Sequence, residues 1–490
     1  MSDTASAPQL TLGVDLGTSA IKVVALAPDG AVMGEGAADI STHSEQPLQA
    51  EQQPADWLLA VRSAMRALSK GLQDSLGAKW AAQVAAIGLT GQLPTLVCLG
   101  DTKPLGPAIT WKDGRADVWA TSRIDAARRA HMYSVTGMPI DGRYLAPMLQ
   151  FHFADRIAAV RTVLSAKDYL LFQLTGLRLT EPSTAAGYGV YDFQQRQFSK
   201  ELADFWQLPG ALLPPIQGAN TLAGGLSAAG ASLLGLREGI PVSTGGADSV
   251  CASYAMAGLD ERVVSISFGS SAVVIGTCAE PRLDPAARYL LTPHVNDAWY
   301  GREMDLLATG SGYRWLCHLF SWPDGAIDRY AAESPPGANG LFFPPFLGGG
   351  EQGALWNPRL RGAICGLELR HSSADIARSF LEGVFFEARR CIEVLAETTP
   401  IDAVMICGNL VHSLGSMQML ADVLGRTVGA VTDKSPAAVG AALLARGIAD
   451  GAQLPDRRAR YRASIQPDEA TSAIYAALYP QYLIKASQCE

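Results

Sequence analysis

The sequence lacks the features of a membrane protein and of a protein that binds nucleic acid. No apolar stretch approaches the ~20 residues that a helix needs to span a bilayer. Residues 1–8 contain neither the basic nor the apolar region of a secretory leader. Lysine and arginine form no run, and the formal net charge is -8, which argues against nucleic acid and anionic membranes as partners. We therefore expect a cytoplasmic protein that binds small molecules.

The cysteines also lack the spacing of a metal site or of a disulfide framework. None of the 8 belongs to a CxxC pair or has a partnered histidine, so we expect reduced, buried thiols. The composition, with 48% hydrophobic and 18% charged residues, is that of an ordinary globular protein. At 490 residues the chain is too long for a single core of ordinary size, so two large domains are expected.

What the sequence does contain is one short phrase in two copies. Residues 15–20 read Asp-Leu-Gly-Thr-Ser-Ala, and residues 267–272 read Ser-Phe-Gly-Ser-Ser-Ala. Apolar runs flank each copy, which is typical of a β-hairpin with the phrase at its tip. A glycine at the tip permits positive φ, and small hydroxyl residues beside it leave backbone N–H groups open to a phosphate. Two copies predict a duplicated domain with a nucleotide between the halves.

The rest of the chain alternates between strand and helix patterns. Residues 10–36 predict three antiparallel strands, and residues 54–68 predict an amphipathic helix. A long helix is expected at 372–397. Another helix, at 435–448, is rich in alanine and glycine, which favours close packing against a neighbouring element.

The position of the second copy predicts the domain boundary. It begins soon after residues 245–248, so the boundary is expected near residues 248–260. We predict an N-terminal domain at 9–250 and a C-terminal domain at 251–485.

Nine short segments form a set whose order and spacing are specific, although each is weak by itself. In chain order they are residues 14–19 (VDLGTS), 88–92 (GLTGQ), 111–116 (WKDGRA), 165–170 (SAKDYL), 245–248 (GGAD), 267–271 (SFGSS), 362–367 (GAICGL), 381–384 (LEGV) and 421–425 (ADVLG). Together they resemble the FGGY carbohydrate kinases, and within that family the xylulokinase branch most closely. The resemblance covers nearly the whole chain.

The resemblance implies both a fold and an activity. The fold would be α/β, with two ribonuclease-H-like domains of the actin-like ATPase type around a central cleft. The activity would be ATP-dependent phosphorylation of a hydroxyl of a small sugar or polyol, with Mg²⁺ as cofactor and a ketose such as xylulose as the expected acceptor. Sugar would bind mainly to the first domain and ATP mainly to the second. The family permits a homodimer.

Asp248 is the candidate catalytic base, and the resemblance also places it at the sugar. Phosphoryl transfer to an alcohol needs a group that takes the hydroxyl proton. Asp248 follows a predicted strand and two glycines, so its carboxylate can lie at the domain junction, and it matches the family's catalytic aspartate. The alternative is a turn residue that caps the next helix.

The two copies supply candidates for the metal and the phosphates. By resemblance, Asp15 lies near Mg²⁺ through water, because magnesium keeps much of its hydration, and Lys22 lies near the terminal phosphate. Without the resemblance, they would be a plain hairpin aspartate and a solvated lysine. Phosphate contacts are expected at the tips, from Gly17, Thr18, Gly269 and Ser270, although each of these could be a turn residue only.

Gly310, Gly408 and Ser413 match positions where the family holds the nucleotide. The family has a glycine-rich run after the strand that ends near Gly408, whereas this chain continues with Asn409-Leu410. Asparagine tolerates a left-handed backbone, but leucine does so poorly. This departure puts the affinity for the nucleotide, or the preference for its nucleobase, in question.

The candidate sugar contacts are Gln92, Leu93, Pro94, Trp111 and Asp113. Xylulokinases carry Met-His-Gly after the glutamine and glycerol kinases carry an Arg-Glu pair, whereas this chain has Leu93-Pro94-Thr95. Proline removes a backbone donor and the imidazole is absent, which favours a different acceptor. Trp111 would give a sugar ring apolar contact. The alternative is a tryptophan of the core.

Two other functions compete with that of a sugar kinase. One is a relative that binds sugar and nucleotide but has lost turnover, which the altered Asn409-Leu410 and sugar segments would explain. The retained Asp15 and Asp248 argue against it. The other is an ATPase of the same superfamily that acts as a chaperone or filament protein, which the segments of the C-terminal half disfavour.

Overall fold

The computed structural model describes residues 9–323, 325–408, 413–450 and 461–490. The strands in this part of the chain are β1 Leu10–Leu16, β2 Ala20–Leu26, β3 Val32–Asp39, β4 Glu51–Gln52, β5 Val84–Gly91, β6 Thr95–Leu99, β7 Ala108–Thr110, β8 Thr162–Leu164, β9 Tyr191–Asp192, β10 Gln197–Phe198, β11 Leu222–Gly225, β12 Pro241–Ser243, β13 Gly246–Ala247, β14 Val263–Phe268, β15 Ala272–Cys278, β16 Leu290–Pro293, β17 Tyr300–Leu306, β18 Ala403–Gly408, β19 Thr427–Val431 and β20 Tyr461–Ile465. The α-helices are α1 Pro54–Leu76, α2 Asp117–Thr121, α3 Ala126–Thr136, α4 Leu145–Phe153, α5 Ala166–Thr175, α6 Pro182–Ala186, α7 Lys200–Phe205, α8 Ala228–Leu234, α9 Asp248–Ala257, α10 Gly310–Leu319, α11 Ala326–Glu333, α12 Ser373–Ala396, α13 Leu414–Leu424, α14 Pro436–Asp450 and α15 Glu469–Ala486.

The described residues divide into two compact units. Unit 1 holds those of Met1–Ala255, Leu291–Tyr300 and Ser435–Arg457, and unit 2 holds those of Met256–Leu290, Gly301–Lys434 and Arg458–Glu490. The chain therefore returns to unit 1 late in the sequence. The predicted domain ranges, 9–250 and 251–485, follow the order of the sequence and do not include this return.

The sheet of unit 1 is built around the first predicted hairpin. β1 pairs antiparallel with β2 and parallel with β5. The strand order is β11-β12-β5-β1-β2-β3, and β13 also pairs with β5. Helix α1 packs on β2 and β3. It continues to Leu76, beyond the predicted end at residue 68, because its buried face extends to Leu72.

Helix α14 packs against the same sheet through small residues, which confirms the expected close packing of this segment. A Cβ atom at Gly13 in β1 would lie 1.8 Å from the carbonyl oxygen of Ala438, and one at Gly88 in β5 would lie 1.8 Å from that of Ala441. Any side chain at either position would overlap the helix backbone. Glycine in the strands therefore lets α14 approach the sheet closely.

The sheet of unit 2 repeats the central arrangement of unit 1. β14 pairs antiparallel with β15 and parallel with β18, as β1 does with β2 and β5. The strand order is β16-β17-β15-β14-β18-β19-β20. Both predicted hairpins are confirmed. The long predicted helix is α12, whose first turn is closed by a capping box between Ser372 and Asp375.

Glu351 is a buried carboxyl group of unit 2 whose protonation links stability to pH. Burial and the nearby carboxylate of Glu387 raise the pKa of Glu351 to about 8, from 4.5 in a solvated chain, although three backbone N–H groups donate to it. Between these two values the folded state binds more protons than the unfolded state. The free energy of unfolding therefore falls as the pH rises from about 4.5 to about 8.

We expect the substitution Glu351→Gln to remove this pH dependence. Because the amide resembles the neutral acid, the variant should exceed the parent in unfolding free energy by at least about 1–2 kcal/mol at pH 8.5 and lose that advantage at pH 5. Chemical denaturation at both pH values measures this. Glu333→Gln, at an exposed glutamate of the same unit, is the control. A parent-like slope in Glu351→Gln would contradict the assignment.

Two further expectations concern membranes and thiols. In the described part of the chain, no helix has the length and apolar character to cross a bilayer. The structure holds all 8 cysteines as thiols, of which Cys365 alone is only half-buried. The expected burial is confirmed for every cysteine except Cys365, and the reduced state stays a prediction.

Candidate active site

Three neighbouring strands of the unit 1 sheet end at one edge. They bring the predicted residues Asp15, Gln92 and Asp248 to that edge. β5 lies between β1 and β13, and Asp15, Thr90 and Gly246 are in register across these parallel strands. The residues that follow therefore share an edge: the hairpin tip after β1, Gln92 after β5 and Asp248 after β13. In α/β sheets, ligands bind at the carboxyl ends of the strands.

Asp15 has a buried carboxylate whose negative charge is only partly offset by a nearby positive charge. Burial raises the pKa of Asp15 to about 6, and the ammonium group of Lys22, its partner residue across the hairpin, opposes the shift. The Oδ1 atom of Asp15 is buried and accepts no hydrogen bond from the described residues. Such an oxygen fits a cation or a water bound to one. No three metal-ligating side chains of the described residues come together, so Mg²⁺ here would take its other ligands from water and phosphate.

The tip of the first hairpin is held by its own backbone. The N–H group of Gly17 donates to the carbonyl oxygen of Ala20 at 3.1 Å, and the φ of Gly17 lies outside the left-handed region. The tip therefore does not use the positive φ that glycine permits, and this N–H group already donates within the hairpin. The hydroxyl oxygen of Thr18 accepts a hydrogen bond from the indole of Trp111 at 2.9 Å. The hydroxyl can still donate its own proton.

Gln92 belongs to a buried chain of polar side chains that the sequence does not reveal. Its amide group donates to Oε1 of Gln52 at 2.8 Å, and the indole of Trp57 donates to the same oxygen at 2.9 Å. The amide of Gln52 donates in turn to the carbonyl oxygen of Thr18 at 2.7 Å. The Oε1 atom of Gln92 is buried and accepts no hydrogen bond from the described residues. It can therefore accept one from a ligand hydroxyl.

The apolar candidates for the sugar side are all partly accessible. Trp111 is half-buried, which argues against a core role. Leu93 and Pro94 are also half-buried and are joined by a cis peptide bond. The side chain of Leu93 packs against Gly187, where a Cβ atom would lie 2.5 Å from Cδ1 of Leu93.

Asp113 is buried in a closed polar network. Its carboxylate accepts hydrogen bonds from the N–H group of Ala50 at 2.9 Å and from the guanidinium of Arg115 at 2.6 Å. Burial alone would raise the pKa of Asp113, but His152 at 3.6 Å and Arg115 hold that pKa well below its usual range. Arg115 continues the network to Glu51 at 2.5 Å. These contacts account for Asp113 without a ligand, and its contact with sugar stays a prediction.

Asp248 is the first residue of α9 and is half-buried. Its Oδ1 atom accepts a hydrogen bond from the N–H group of Ser249 at 2.9 Å. This bond is compatible with the catalytic base and with the helix cap. The position at the same sheet edge as Asp15 favours the base, because that is where a ligand is expected.

The second hairpin repeats this arrangement in unit 2. Phe268, at the end of β14, is in register with Gly408, at the end of the parallel strand β18. Gly408 has a φ of +98°, and a Cβ atom there would lie 1.9 Å from the carbonyl oxygen of Phe268. This approach requires glycine. Gly408 therefore lies beside the tip that contains Gly269 and Ser270.

The start of α10 is joined to the second tip. The N–H group of Gly310 donates to the carbonyl oxygen of Gly269 at 3.1 Å, and a Cβ atom at Gly310 would lie 2.3 Å from that oxygen. The N–H group of Gly269 donates to the carbonyl oxygen of Ser271 at 2.8 Å. These two N–H groups are therefore used within the protein.

Arg314 is a cationic residue at the second tip that the sequence analysis missed. Its guanidinium donates to the hydroxyl oxygen of Ser270 at 2.9 Å. The signal that could have identified it is its position one helical turn after Gly310, on the same face of α10.

Ser413 is the N-cap of α13, where its hydroxyl oxygen accepts a hydrogen bond from the N–H group of Ser416 at 3.2 Å. This capping accounts for Ser413 without a ligand. Its role at the nucleotide stays a prediction. The prediction at Asn409-Leu410 lies outside the described residues.

Comparison with known proteins connects both halves of the sequence to one family. The N-terminal domain of the FGGY family of carbohydrate kinases matches residues 10–255, and the C-terminal domain of that family matches residues 264–446. The xylulose kinase of Lactococcus lactis subsp. lactis (strain IL1403) is 28% identical over 445 residues, which are 89% of this chain and 87% of that protein.

Solved structures share the fold. The xylulose kinase from Rhodospirillum rubrum has a TM-score of 0.86 at 26% identity and covers 98% of this chain and 99% of its own. The gluconate kinase from Lactobacillus acidophilus has a TM-score of 0.90 at 22% identity and covers 98% of each chain. These matches confirm the predicted α/β fold with two ribonuclease-H-like domains. The chain belongs to the FGGY family of carbohydrate kinases.

Proposed function

We propose that this ATP-dependent carbohydrate kinase phosphorylates a small sugar or polyol at the carboxyl edge of the unit 1 sheet, and that a ketose such as xylulose is the first acceptor to test. The observation that carries the proposal is the register of β1, β5 and β13, which brings Asp15, Gln92 and Asp248 to one edge. The relatives named xylulose kinase support the choice of a ketose.

The chemistry assigns Asp248 the role of general base. An acceptor hydroxyl oxygen attacks the γ-phosphorus of ATP in line with the bond to the β-phosphate. That bond breaks, ADP leaves, and the hydroxyl proton passes to the Asp248 carboxylate. The half-buried position of Asp248 suits this role, because it is reached by a ligand while part of the surrounding water is excluded.

Asp15 and Lys22 would help to neutralise the negative charge of the phosphates. The unpartnered Oδ1 of Asp15 would hold Mg²⁺ through water, and this ion, when bound, supplies charge neutralisation to the phosphates. Lys22, opposite Asp15 in the hairpin, would place its ammonium group near the terminal phosphate.

The nucleotide contacts of the two tips would come mainly from hydroxyl groups, because the N–H groups of Gly17, Gly269 and Gly310 donate within the protein. These glycines would instead shape the tips so that the backbone can approach the phosphates. The residues proposed to contact the nucleotide through hydroxyl groups are Thr18, Ser270 and Ser413, and the glycines proposed to let the backbone approach it are Gly17, Gly269, Gly310 and Gly408.

The sugar contacts combine one unpartnered acceptor with apolar surface. The Oε1 atom of Gln92 would accept a sugar hydroxyl, and the half-buried Leu93, Pro94 and Trp111 would face apolar parts of the ligand. Leu93-Pro94-Thr95 stands where xylulokinases carry Met-His-Gly, so the imidazole of that segment is absent here. We therefore also propose that this enzyme ranks its acceptors differently from its relatives, although xylulose is the first acceptor to test.

Location and assembly complete the proposal. Reduced thiols, which we expect at all 8 cysteines, are the state that the cytosol maintains, and this expectation supports a cytoplasmic location. A homodimer stays a prediction from the family resemblance.

Release of ADP across a panel of pentuloses, hexuloses, aldoses and polyols with Mg-ATP tests the function. We expect one acceptor, with xylulose the first candidate, to exceed the others by at least about tenfold in kcat/KM, because a pocket that hydrogen-bonds its ligand discriminates against analogues. The Asp248→Asn variant is the negative control. ADP release that does not depend on any acceptor would indicate an ATPase, and silence with ATP still bound would indicate a binding protein without turnover.

A further inference from the structure

We propose that Lys167, Glu181 and Ser183 are positioning residues for Asp248, an inference that rests on the proposed function. These three residues, called the buried clamp below, are at most 1% exposed and lie in unit 1. Residues 244–247 lead directly into Asp248. The buried clamp holds this segment at both of its ends.

Lys167 holds the first end. Its ammonium group donates to the carbonyl oxygen of Thr244 at 2.8 Å. It also donates to the carboxylate of Asp168 at 2.7 Å and lies 4.0 Å from Oε1 of Glu181. A fully buried ammonium group needs such partners. The two carboxylates stabilise its positive charge, and the bond to Thr244 ties that charge to the segment before the base.

Ser183 holds the second end. Its hydroxyl oxygen accepts a hydrogen bond from the N–H group of Ala247 at 2.9 Å, and its hydroxyl donates to Glu181 at 2.8 Å. Glu181 also accepts from the N–H groups of Ser183 and Thr184, both at 2.8 Å, and so caps α6. The residue immediately before Asp248 is therefore hydrogen-bonded to Ser183, which is itself hydrogen-bonded to the buried helix cap Glu181.

The segment between the two ends has little room to move. Gly245 has a φ of +81°, and a Cβ atom there would lie 1.9 Å from the carbonyl oxygen of Leu89. Gly246 pairs with Thr90 of β5. The backbone before Asp248 is thus fixed by the sheet on one side and by the buried clamp on the other.

This fixation matters for proton transfer. A misplacement of about 1 Å can lower a rate by about 10²-fold, and a base must lie within hydrogen-bond reach of the hydroxyl that it deprotonates. Lys167 contacts the backbone that leads to Asp248 directly, and Glu181 contacts it through the hydroxyl of Ser183. The buried clamp therefore acts on the rate through the position of the Asp248 carboxylate.

Ser183→Ala tests the inference through a double-mutant cycle. We expect kcat to fall by about 10- to 100-fold while the KM for ATP changes by less than about twofold. In the Asp248→Asn background the same substitution should change the residual rate by less than about twofold, because its effect requires the carboxylate. Single-turnover experiments with excess enzyme make this low residual rate measurable. Ser253→Ala, at a buried serine of α9 whose hydroxyl has no hydrogen-bond partner among the described residues, should match the parent.

Hydrogen exchange separates this inference from the proposed function, because it needs no acceptor. Ser183→Ala should raise the exchange rate of residues 244–248 and leave the rest of unit 1 unchanged. Glu181→Gln, which keeps the shape of the side chain, provides a second variant if the first does not fold. Unchanged exchange at 244–248, an unchanged kcat, or an equal fall in rate in the Asp248→Asn background would each overturn the inference. A parent enzyme that phosphorylates no acceptor would overturn the proposed function alone.

Discussion

Replacing Asp248 with asparagine will lower kcat by about 10²- to 10⁴-fold, which is the range that a positioned general base contributes. The amide has nearly the size of the carboxylate but cannot take the hydroxyl proton. Affinity for ATP should change little, because Asp248 is proposed to contact the acceptor hydroxyl and the substitution alters none of the residues proposed to contact ATP. Kinetics of ADP release and calorimetry with ATP measure the two effects separately.

The same substitution distinguishes the base from the helix cap. Asparagine caps helices about as well as aspartate, and it keeps an oxygen that can accept the hydrogen bond from Ser249. A capping residue would therefore tolerate Asp248→Asn with parent-like turnover, and such a result would remove the base assignment. Asp125→Asn is the matched control. Asp125 caps α3 by accepting a hydrogen bond from Arg128 at 2.7 Å, and its variant should keep the parent kcat.

Local sequence patterns were sufficient to predict the two hairpins. Their apolar residues flank a glycine and small hydroxyl residues, and both signals act over neighbouring residues. The conformation of the tips was not predictable in the same way. Gly17 does not need positive φ, because its N–H group closes the turn onto Ala20. Gly408, at the end of β18, does need it, owing to its approach to the neighbouring strand.

Sequence patterns could predict the site residues that lie at the end of a strand or directly after it. They could not predict contacts between residues that are distant along the chain. Asp15 lies near the end of β1, and Gln92 and Asp248 each directly follow a strand, so their shared edge follows once the register is known. Gln52 meets Gln92 across 40 residues, and no local pattern indicates that pair. Asp113 was predicted at the sugar from the family resemblance, but its hydrogen bond to Ala50, 63 residues earlier in the chain, depends on segments brought together only in the fold.

Helix α14 shows the same limit for whole elements. Its alanine and glycine residues predicted close packing, which the structure confirms at Gly13 and Gly88. The element against which α14 packs was not predictable. Small residues indicate that two backbones come close, but they do not identify the partner. The contacts of α14 with β1 and β5 return a late part of the chain to unit 1.

Gly88→Ala should destabilise unit 1 strongly for this reason. The added methyl group would lie 1.8 Å from the carbonyl oxygen of Ala441 and 2.5 Å from its carbonyl carbon, and backbone atoms cannot rotate away as a flexible side chain can. The helix must shift from the central strand or the strand must bend. Overpacking costs about 1–3 kcal/mol and occasionally more, and an overlap with backbone atoms lies at the upper end of that range. A loss of about 3 kcal/mol corresponds to a fall in Tm of about 6 °C or more for a unit of this size.

Gly71→Ala is the matched control and should act in the opposite direction. Gly71 lies on the exposed face of α1, where a Cβ atom would meet nothing within 4 Å. Alanine there gains about 0.5–1 kcal/mol over glycine from helix propensity. Thermal and chemical denaturation of both variants should therefore move to opposite sides of the parent. A Gly88→Ala protein that melts within about 1 °C of the parent would show that α14 does not pack on β5 as closely as the structure describes.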